Sequence, residues 1–575
     1  MAGAFVSLGI AMAVLLGLGF DWQLGPIRIR ITNAERPLIL GALFAAAGLF
    51  PPALRRVSAT ALALSGVLAV TAFARTADPA FAPAGDIALI ESYTVHATHR
   101  ELLLGPYSRF GWNHPGPLYF YLLAPFYVMT EHRSAGLSAG ALVMNLAALG
   151  LLLWVGARHT AHGLLAITIA LAAVFFTWSA AEMLASQWNP HVLVLPTMAI
   201  IVVSAAVASG SLALLPVLAA LVSFVVQTHL GLGPTVVATA GVAVALAVVG
   251  RYDVRDSQPR PRVWPVLSAT LWLLLLVWLL PLVEELSQPE GNLSRLWTFF
   301  AVEQSEGQRF RIAFRVWADM MSDLVRSDVR VGWGTRIRAA SGPWSQAWAI
   351  GQTVAVALIL WRAIIARDRF RAALSALLLV ASGVALWSIA RIEDDIYDHL
   401  VFWVAGIGAL EVALIADAVI GLASRRTGLP TPRHAAAACL LLWLVAAAIG
   451  FQQLRVVASR SFRPGIEQLS SRRLADVLLP EFERKGIGRP LVKIDQPVWG
   501  IAAGVLLQLQ KRGIPFGVEE GWWFMFGSPT RPSGQETSTL IFAAPEMRVR
   551  LQENADHELL AERDRVSIFL VRDQP

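Results

Sequence analysis

"GPYSRFGWNHPGPLYFYLLAP", residues 105–125, interrupts a chain otherwise built largely from Leu, Ala and Val. Its twenty-one positions hold six Phe, Trp or Tyr residues, four prolines, and the polar side chains of Arg109, Asn113 and His114. Prolines and polar groups keep such a stretch from crossing a bilayer as one regular helix. Its rings are too many for an ordinary solvated loop, whereas Trp and Tyr gather where membrane meets water. The segment therefore reads as the floor of a polar loop at the headgroup level, and the apolar runs around it read as membrane helices.

Composition agrees. The 575 residues are 56% hydrophobic and only 15% charged, with a mean hydropathy of +0.58, against about 25% charged residues in soluble domains. Apolar runs near the length of a spanning helix fall at 3–20, 37–51, 57–75, 134–156, 163–184, 191–209, 211–228, 231–250, 264–283, 345–362, 372–390, 398–421 and 435–452, about thirteen spans. The run after Met1 has no basic leader and no small-residue cleavage site, so it reads as a first membrane helix. The single cysteine, Cys439, excludes an internal disulfide and a thiolate zinc site, and it reads as an inert core residue. The basic residues are nearly all arginine, a bias of GC-rich bacterial genomes, and the net charge of +7 is read by membrane side, with no nucleic acid implied.

Charge alternates along the connections. Arg55 and Arg56, Arg158, the arginines of 251–262, Arg367 to Arg371, and Arg425, Arg426 and Arg433 mark one set. The other set holds "AGDIALIESY", "SQWNPH", "QTHLGLG", the loop 284–344 and "RIEDDIYDH". Arginine-rich connections stay cytoplasmic, so the second set faces outward, the N-terminus lies inside and the C-terminal tail outside. Only 21–36, with Arg28, Arg30 and Arg36, breaks the alternation.

Residues 453–575 regain charge and read as a small soluble extracytoplasmic α/β domain after a transmembrane domain of residues 1–452. "PLVKID", "IPFGV", "TLIFAA" and "VSIFLV" have strand character, and "WGIAAGVLLQLQKRG" and "APEMRVRLQENADHELLAERD" have helical spacing. The outer loop 76–133 carries Asp86, Glu91, His96, His99, Arg100, Arg109 and His114; later outer turns add Asn189, His191, His229, Asp398 and His399. The spans themselves are almost free of charge, Glu182, Glu411 and Asp417 being the exceptions. Chemistry at the outer surface fits this asymmetry better than transit through the bilayer does.

An outer loop after an early span, with "GDIALIE" (Asp86, Glu91) and then "HPGPLYFYLLAP" (114–125), resembles the GT-C superfamily of integral membrane glycosyltransferases. The likeness runs over about residues 76–250; two extra helices precede the loop, and the two carboxylates are five residues apart where some relatives have them adjacent. The resemblance implies a polytopic α-helical GT-C-like fold and a polyprenyl-phosphate-linked sugar as donor. It also implies inverting transfer on the outer face, in a bacterial plasma membrane, to a glycan, glycolipid or protein acceptor.

An inverting transfer needs one carboxylate to take the acceptor's proton, a role open to Asp86 or Glu91. On an ideal helix Glu91 lies about 140° away from the face of Asp86, so the two need not share a site, and Glu91 also suits a supporting or metal-linked role. Arg109, His114 and His399 are candidates to hold the donor phosphate. Tyr107, Trp112, Asn113, Asn189, His191, His229 and Asp398 are candidates to line the cavity. The sequence fixes no cofactor; a divalent Mg, Mn or Ca held by loop carboxylates is the one the chemistry admits. His96 and His99 share a helix face, a weak metal signal. Trp522 and Trp523 could stack on sugar rings, though packing explains them as well. The rival from another class is a transporter or flippase for a lipid-linked or small polar substrate. It requires Glu182, Glu411 or Asp417 to be essential while Asp86→Asn is silent.

Overall fold

The computed structural model describes residues 20–24, 27–31, 82–159, 181–251, 263–303, 307–323, 334–337, 342–427 and 466–572. The spans expected at 37–51, 57–75 and 435–452, nearly all of 3–20 and most of 163–184, and Cys439, lie outside those residues. Within residues 21–36, where a plain connection was expected, "FDWQL" and "IRIRI" form an antiparallel hairpin, β1 (Phe20–Leu24) and β2 (Ile27–Ile31), with Phe20 opposite Ile31. Strict Ile–Arg alternation has the period of a strand, not of a helix.

The membrane part is a helix bundle. After α1 (Gly85–Thr98) and α2 (Leu118–Met129) come α3 (Ala135–His159), α4 (Val194–Ala208), α5 (Leu215–Thr228) and α6 (Gly233–Arg251). The bundle continues through α7 (Trp264–Ser287), α8 (Asn292–Thr298), α9 (Phe310–Met321), α10 (Pro343–Ile365), α11 (Arg369–Ala390) and α12 (Val404–Thr427). Among the described residues six helices are long and apolar enough to cross a membrane, those at 135–156, 189–208, 230–250, 264–287, 343–365 and 369–390. The chain is a membrane protein. The count of thirteen spans is not reached among the described residues.

Helices that are apolar all round sort by what surrounds them. Helix α4 is the hub, with every side chain from Val194 to Val207 buried, packed on α3, α5, α6, α11 and α12. Helix α7 is the opposite case: Trp264, Trp272, Leu276 and Leu286 are all at least 70% exposed, the surface of a helix that faces lipid. The bundle ends gather in two groups. At one, His159 at the end of α3 lies 3.2 Å from the Ser211 hydroxyl and stacks on Phe370. At the other, Asn189 donates to the Thr228 carbonyl at 3.2 Å beside the loop 105–116. The first group joins the connections at Arg158 and at Arg367 to Arg371, and the second joins "SQWNPH" and "QTHLGLG". The expected span 398–421 is broken: a single turn, Asp398–Val401, precedes α12, and the chain turns at Phe402 and Trp403 between them.

The C-terminal unit packs α13 (Ile466–Lys485) and α14 (Trp499–Lys511) against a five-stranded sheet in the order β4-β3-β5-β7-β6. Its strands are β3 (Pro490–Ile494), β4 (Gly517–Val518), β5 (Ser538–Ala543), β6 (His557–Arg563) and β7 (Val566–Arg572). Strand β3 runs parallel to β4 and β5, while β7 is antiparallel to β5 and β6. One expectation is corrected here. The single helix read in "APEMRVRLQENADHELLAERD" ends as α15 (Pro545–Gln552), and "HELLAER" is strand β6. The hairpin β6–β7 turns at Asp564, with φ +54°, and buries Leu560 and Ala561 against the sheet. Tertiary pairing overrides a locally helical pattern there.

Candidate active site

Helix α1 begins at Gly85, whose φ of +56° a side chain would resist, and this turn presents Asp86 half-buried in the first helical turn. Both carboxylate oxygens are engaged. Tyr107 Oη donates to Oδ1 at 2.5 Å and Trp188 Nε1 donates to Oδ2 at 2.9 Å. Burial pushes the Asp86 carboxyl above its usual pKa, and the two hydrogen bonds pull part of the way back. Each oxygen retains lone-pair capacity for a further donor.

The loop 105–116 is held by backbone. Gly105 N donates to the His114 carbonyl at 3.2 Å and His114 N to the Pro106 carbonyl at 2.8 Å. A Cβ on Gly105 would stand 2.6 Å from the His114 carbonyl oxygen and 2.8 Å from that of Gln227, so only glycine fits. Asn113 is spent on this architecture: its amide donates to Gly105 O at 3.1 Å and to Tyr93 Oη at 3.3 Å. Its backbone exchanges two bonds with Asn292 at the start of α8. Trp112 is buried between the His114 ring and Phe299 and Phe300.

From Asp86 a path of contacts leads to a basic cluster. The Trp188 ring that holds Asp86 lies 5.1 Å from the His399 ring, and His399 lies 5.9 Å from Tyr397. The Arg109 guanidinium sits 5.7 Å from the Tyr397 ring and 4.8 Å from Phe110, and donates to the Glu393 carbonyl at 2.9 Å. It is exposed and makes no ion pair among the described residues. The His114 and His229 rings are 4.7 Å apart, and the Leu230 amide donates to His114 Nδ1 at 3.1 Å. A neutral His114 therefore carries its proton on Nε2. Burial pushes His399 down to about 3, with the positive fields of His229 and Arg109 adding to it. Burial also lowers His229 to about 4, and lowers His114 well below its usual value, helped by His229. One arginine cation and three neutral imidazoles thus lie together at this end of the bundle.

The other candidates divide. His191 is buried beneath the site, its Nδ1 2.8 Å from Ser186 Oγ and its ring edge-on to Trp188 and Phe402. Asp398 Oδ1 accepts from the amides of Gly334, Thr335 and His399 at 3.0, 3.1 and 2.7 Å, so it fixes the loop that carries His399. Glu91 is not brought to Asp86: it is fully buried against Tyr127 and Lys511. His96 meets Glu101 and Gln510, and His99 is exposed. Among the described residues no group of three or more His, Cys, Asp or Glu side chains is placed to hold a metal ion. Trp522 and Trp523 donate their indole N–H groups to the Ile494 and Val518 carbonyls, which ties both to their own sheet. Trp188, in "SQWNPH", reads from sequence as a membrane-interface anchor, and Tyr397, in "RIEDDIYDH", carries no signal of its own.

No family model and no curated protein matches the chain. Among solved structures, the chain is similar to the crystal structure of ArnT from Cupriavidus metallidurans bound to undecaprenyl phosphate. The TM-score is 0.51, at 13% identity over 88% of this chain and 97% of that one. The apo state of the same protein gives 0.48 at 14% identity over the same shares. The arabinofuranosyltransferase AftD from Mycobacteria gives 0.36 at 13% identity, covering 91% of this chain and 40% of that one. The first of these shows a shared fold, and at such identity it shows the fold alone.

Proposed function

We propose that the protein is an inverting glycosyltransferase that moves a sugar from a polyprenyl-phosphate donor to an extracytoplasmic glycan, glycolipid or protein acceptor. Asp86 is its base. The observation that carries the reading is the pairing, in one site, of a half-buried carboxylate held by Tyr107 and Trp188 with the Arg109 cation and the imidazoles of His114, His229 and His399. The neighbour of the same fold is recorded with undecaprenyl phosphate bound, the class of donor lipid proposed for this chain.

The chemistry follows from what each group can do. Asp86 takes the proton of the acceptor hydroxyl as its oxygen bonds to the anomeric carbon. The bond from that carbon to the phosphate oxygen breaks with inversion. The phosphate goes from one negative charge in the diester to two in the leaving monoester. Arg109 meets that growing charge, and the imidazoles can donate N–H or accept a proton as it appears. Stabilisation that grows toward the transition state accelerates the step, where equal binding of both states would not.

The chain is proposed to lie in a bacterial plasma membrane, with the N-terminus cytoplasmic and with the site and the unit from about residue 453 outside. The transporter reading is weakened at Asp417, whose carboxylate is bound by Arg371 at 2.6 Å. The test is transfer from a polyprenyl-monophosphate sugar. Asp86→Asn is expected to lower turnover by about 10²–10⁴-fold, the usual worth of a general base, with folding and donor binding intact. Full turnover in that variant rejects Asp86 as base.

A further inference from the structure

Helix α1 carries Asp86 in its first turn and spends the rest of its length on the C-terminal unit. Glu91 has no exposed surface; its Oε1 accepts from Lys511 Nζ at 2.6 Å and from Tyr127 Oη at 2.9 Å. Its Oε2 is buried without a hydrogen-bond partner among the described residues. Lys511, the last residue of α14, also lies 5.7 Å over the Tyr127 ring. One residue on, Ser92 Oγ donates to Gln510 Oε1 at 2.7 Å, and Gln510 Nε2 reaches His96 Nε2 at 3.0 Å. Tyr93 Oη donates to the Met525 carbonyl at 3.0 Å. At the helix start, the Trp499 ring stands 3.7 Å from where a Gly85 Cβ would be. Helix α14 thus runs beside α1 from end to end, while α2 holds its other side through Tyr127 and the stacked Tyr93–Phe120 rings.

A buried carboxylate with one idle oxygen is an expensive way to join two helices, since apolar side chains of similar size would serve stability as well or better. What an ion pair adds is one arrangement in place of several. The lever is short. Five residues of helix place Asp86 about 7.5 Å along the axis from Glu91, so a tilt of about 8° there moves the carboxylate by about 1 Å. A displacement of that size at a reacting group costs about 10²-fold in rate.

We propose that Lys511 is a positioning residue: by pairing with Glu91 it fixes α1 so that Asp86 stays between Tyr107 and Trp188, and the C-terminal unit is thereby part of the catalytic apparatus. The turnover half of this proposal rests on Asp86 being the base. The experiment uses the full chain in lipid nanodiscs. Lys511→Met is expected to lower kcat at least tenfold while the donor KM stays within twofold, because the donor's phosphate contacts lie on other segments. Lys511→Arg, which can also reach the idle Glu91 Oε2, is expected to restore kcat. Hydrogen exchange over residues 85–91 is expected to quicken in Lys511→Met and to return to the native rate in Lys511→Arg.

Should Lys511→Met fail to fold, Glu91→Gln with Lys511→Met leaves no unpaired buried charge and must show the same loss of kcat. A lowered Tm with native kcat and native exchange would make the pair merely structural and overturn the proposal. Quickened exchange with native kcat would overturn it as well. If the wild-type protein transfers no sugar at all, the transferase reading fails on its own. The exchange measurement still decides whether Lys511 holds α1, and unchanged exchange overturns the proposal whatever turnover shows.

Discussion

The three histidines near Arg109 set a pH dependence whose sign is opposite to that of a histidine paired with an acid. Their folded pKa values lie below the unfolded value of about 6.5, with His229 at about 4 and His399 at about 3. Between those limits the unfolded chain binds protons that the folded chain does not, so stability falls as pH drops below about 6.5. A bound phosphate reverses the field at the rings and raises their pKa values, so lipid binding takes up protons. Affinity for a polyprenyl phosphate is therefore expected to strengthen as pH falls from 6 toward the His229 value of about 4, and titration calorimetry in two buffers of different ionisation heat will show proton uptake. His399→Ala should flatten that dependence; an identical pH slope in the variant would remove His399 from the anion site. Much of this corner is legible in the sequence, because charge is scarce and Asp86, Arg109, His114 and His399 stand out in connections between apolar runs. The partners that set their chemistry are not legible. Trp188, holding Asp86 from 102 positions away, reads as a membrane-interface anchor until the fold brings its N–H to a carboxylate. Lys511, 420 positions from Glu91, has no local signature at all.

At the scale of elements, apolar length located the spans that the structure describes, yet boundaries did not follow from it. Three amides converge on Asp398 Oδ1 at the start of a single turn, and the chain turns again at Phe402 and Trp403 before α12, where one continuous helix was expected. The β6 strand was misread for the converse reason, since its helical spacing is local and its pairing with β7 is not. Within the loop 105–116 the decisive element is the tight approach of Gly105 to three carbonyl groups, those of His114, Gly116 and Gln227. Gly105→Ala places a methyl group inside that ring of oxygens, where backbone and not a flexible side chain must yield. The variant is expected to lose turnover and to become sensitive to limited proteolysis between residues 100 and 117. Native turnover and native protease resistance would show that the loop's path does not depend on this contact.

The whole molecule joins two kinds of structure through one helix. A bundle sorted by lipid and protein contact supplies Trp188, His229 and His399, the loop 105–116 supplies Tyr107, Arg109 and His114, and α1 brings Asp86 to them while leaning on the C-terminal unit. The sequence reading described that unit as separate, since composition changes near residue 453. Composition registers solubility, not contact, and so it could not reveal that α14 and the segment around Phe524 pack on the helix and loop of the site. The most direct measurement is native mass spectrometry of the purified protein and its Arg109→Ala variant, against an unrelated membrane protein from the same cells. The wild-type protein is expected to retain one polyprenyl phosphate, bare or carrying a single sugar, and Arg109→Ala to lose most of it, as removal of a charge-assisted contact worth about 10–100-fold in affinity requires. Retention of ordinary phospholipids alone by the wild-type protein would contradict a polyprenyl-phosphate transferase.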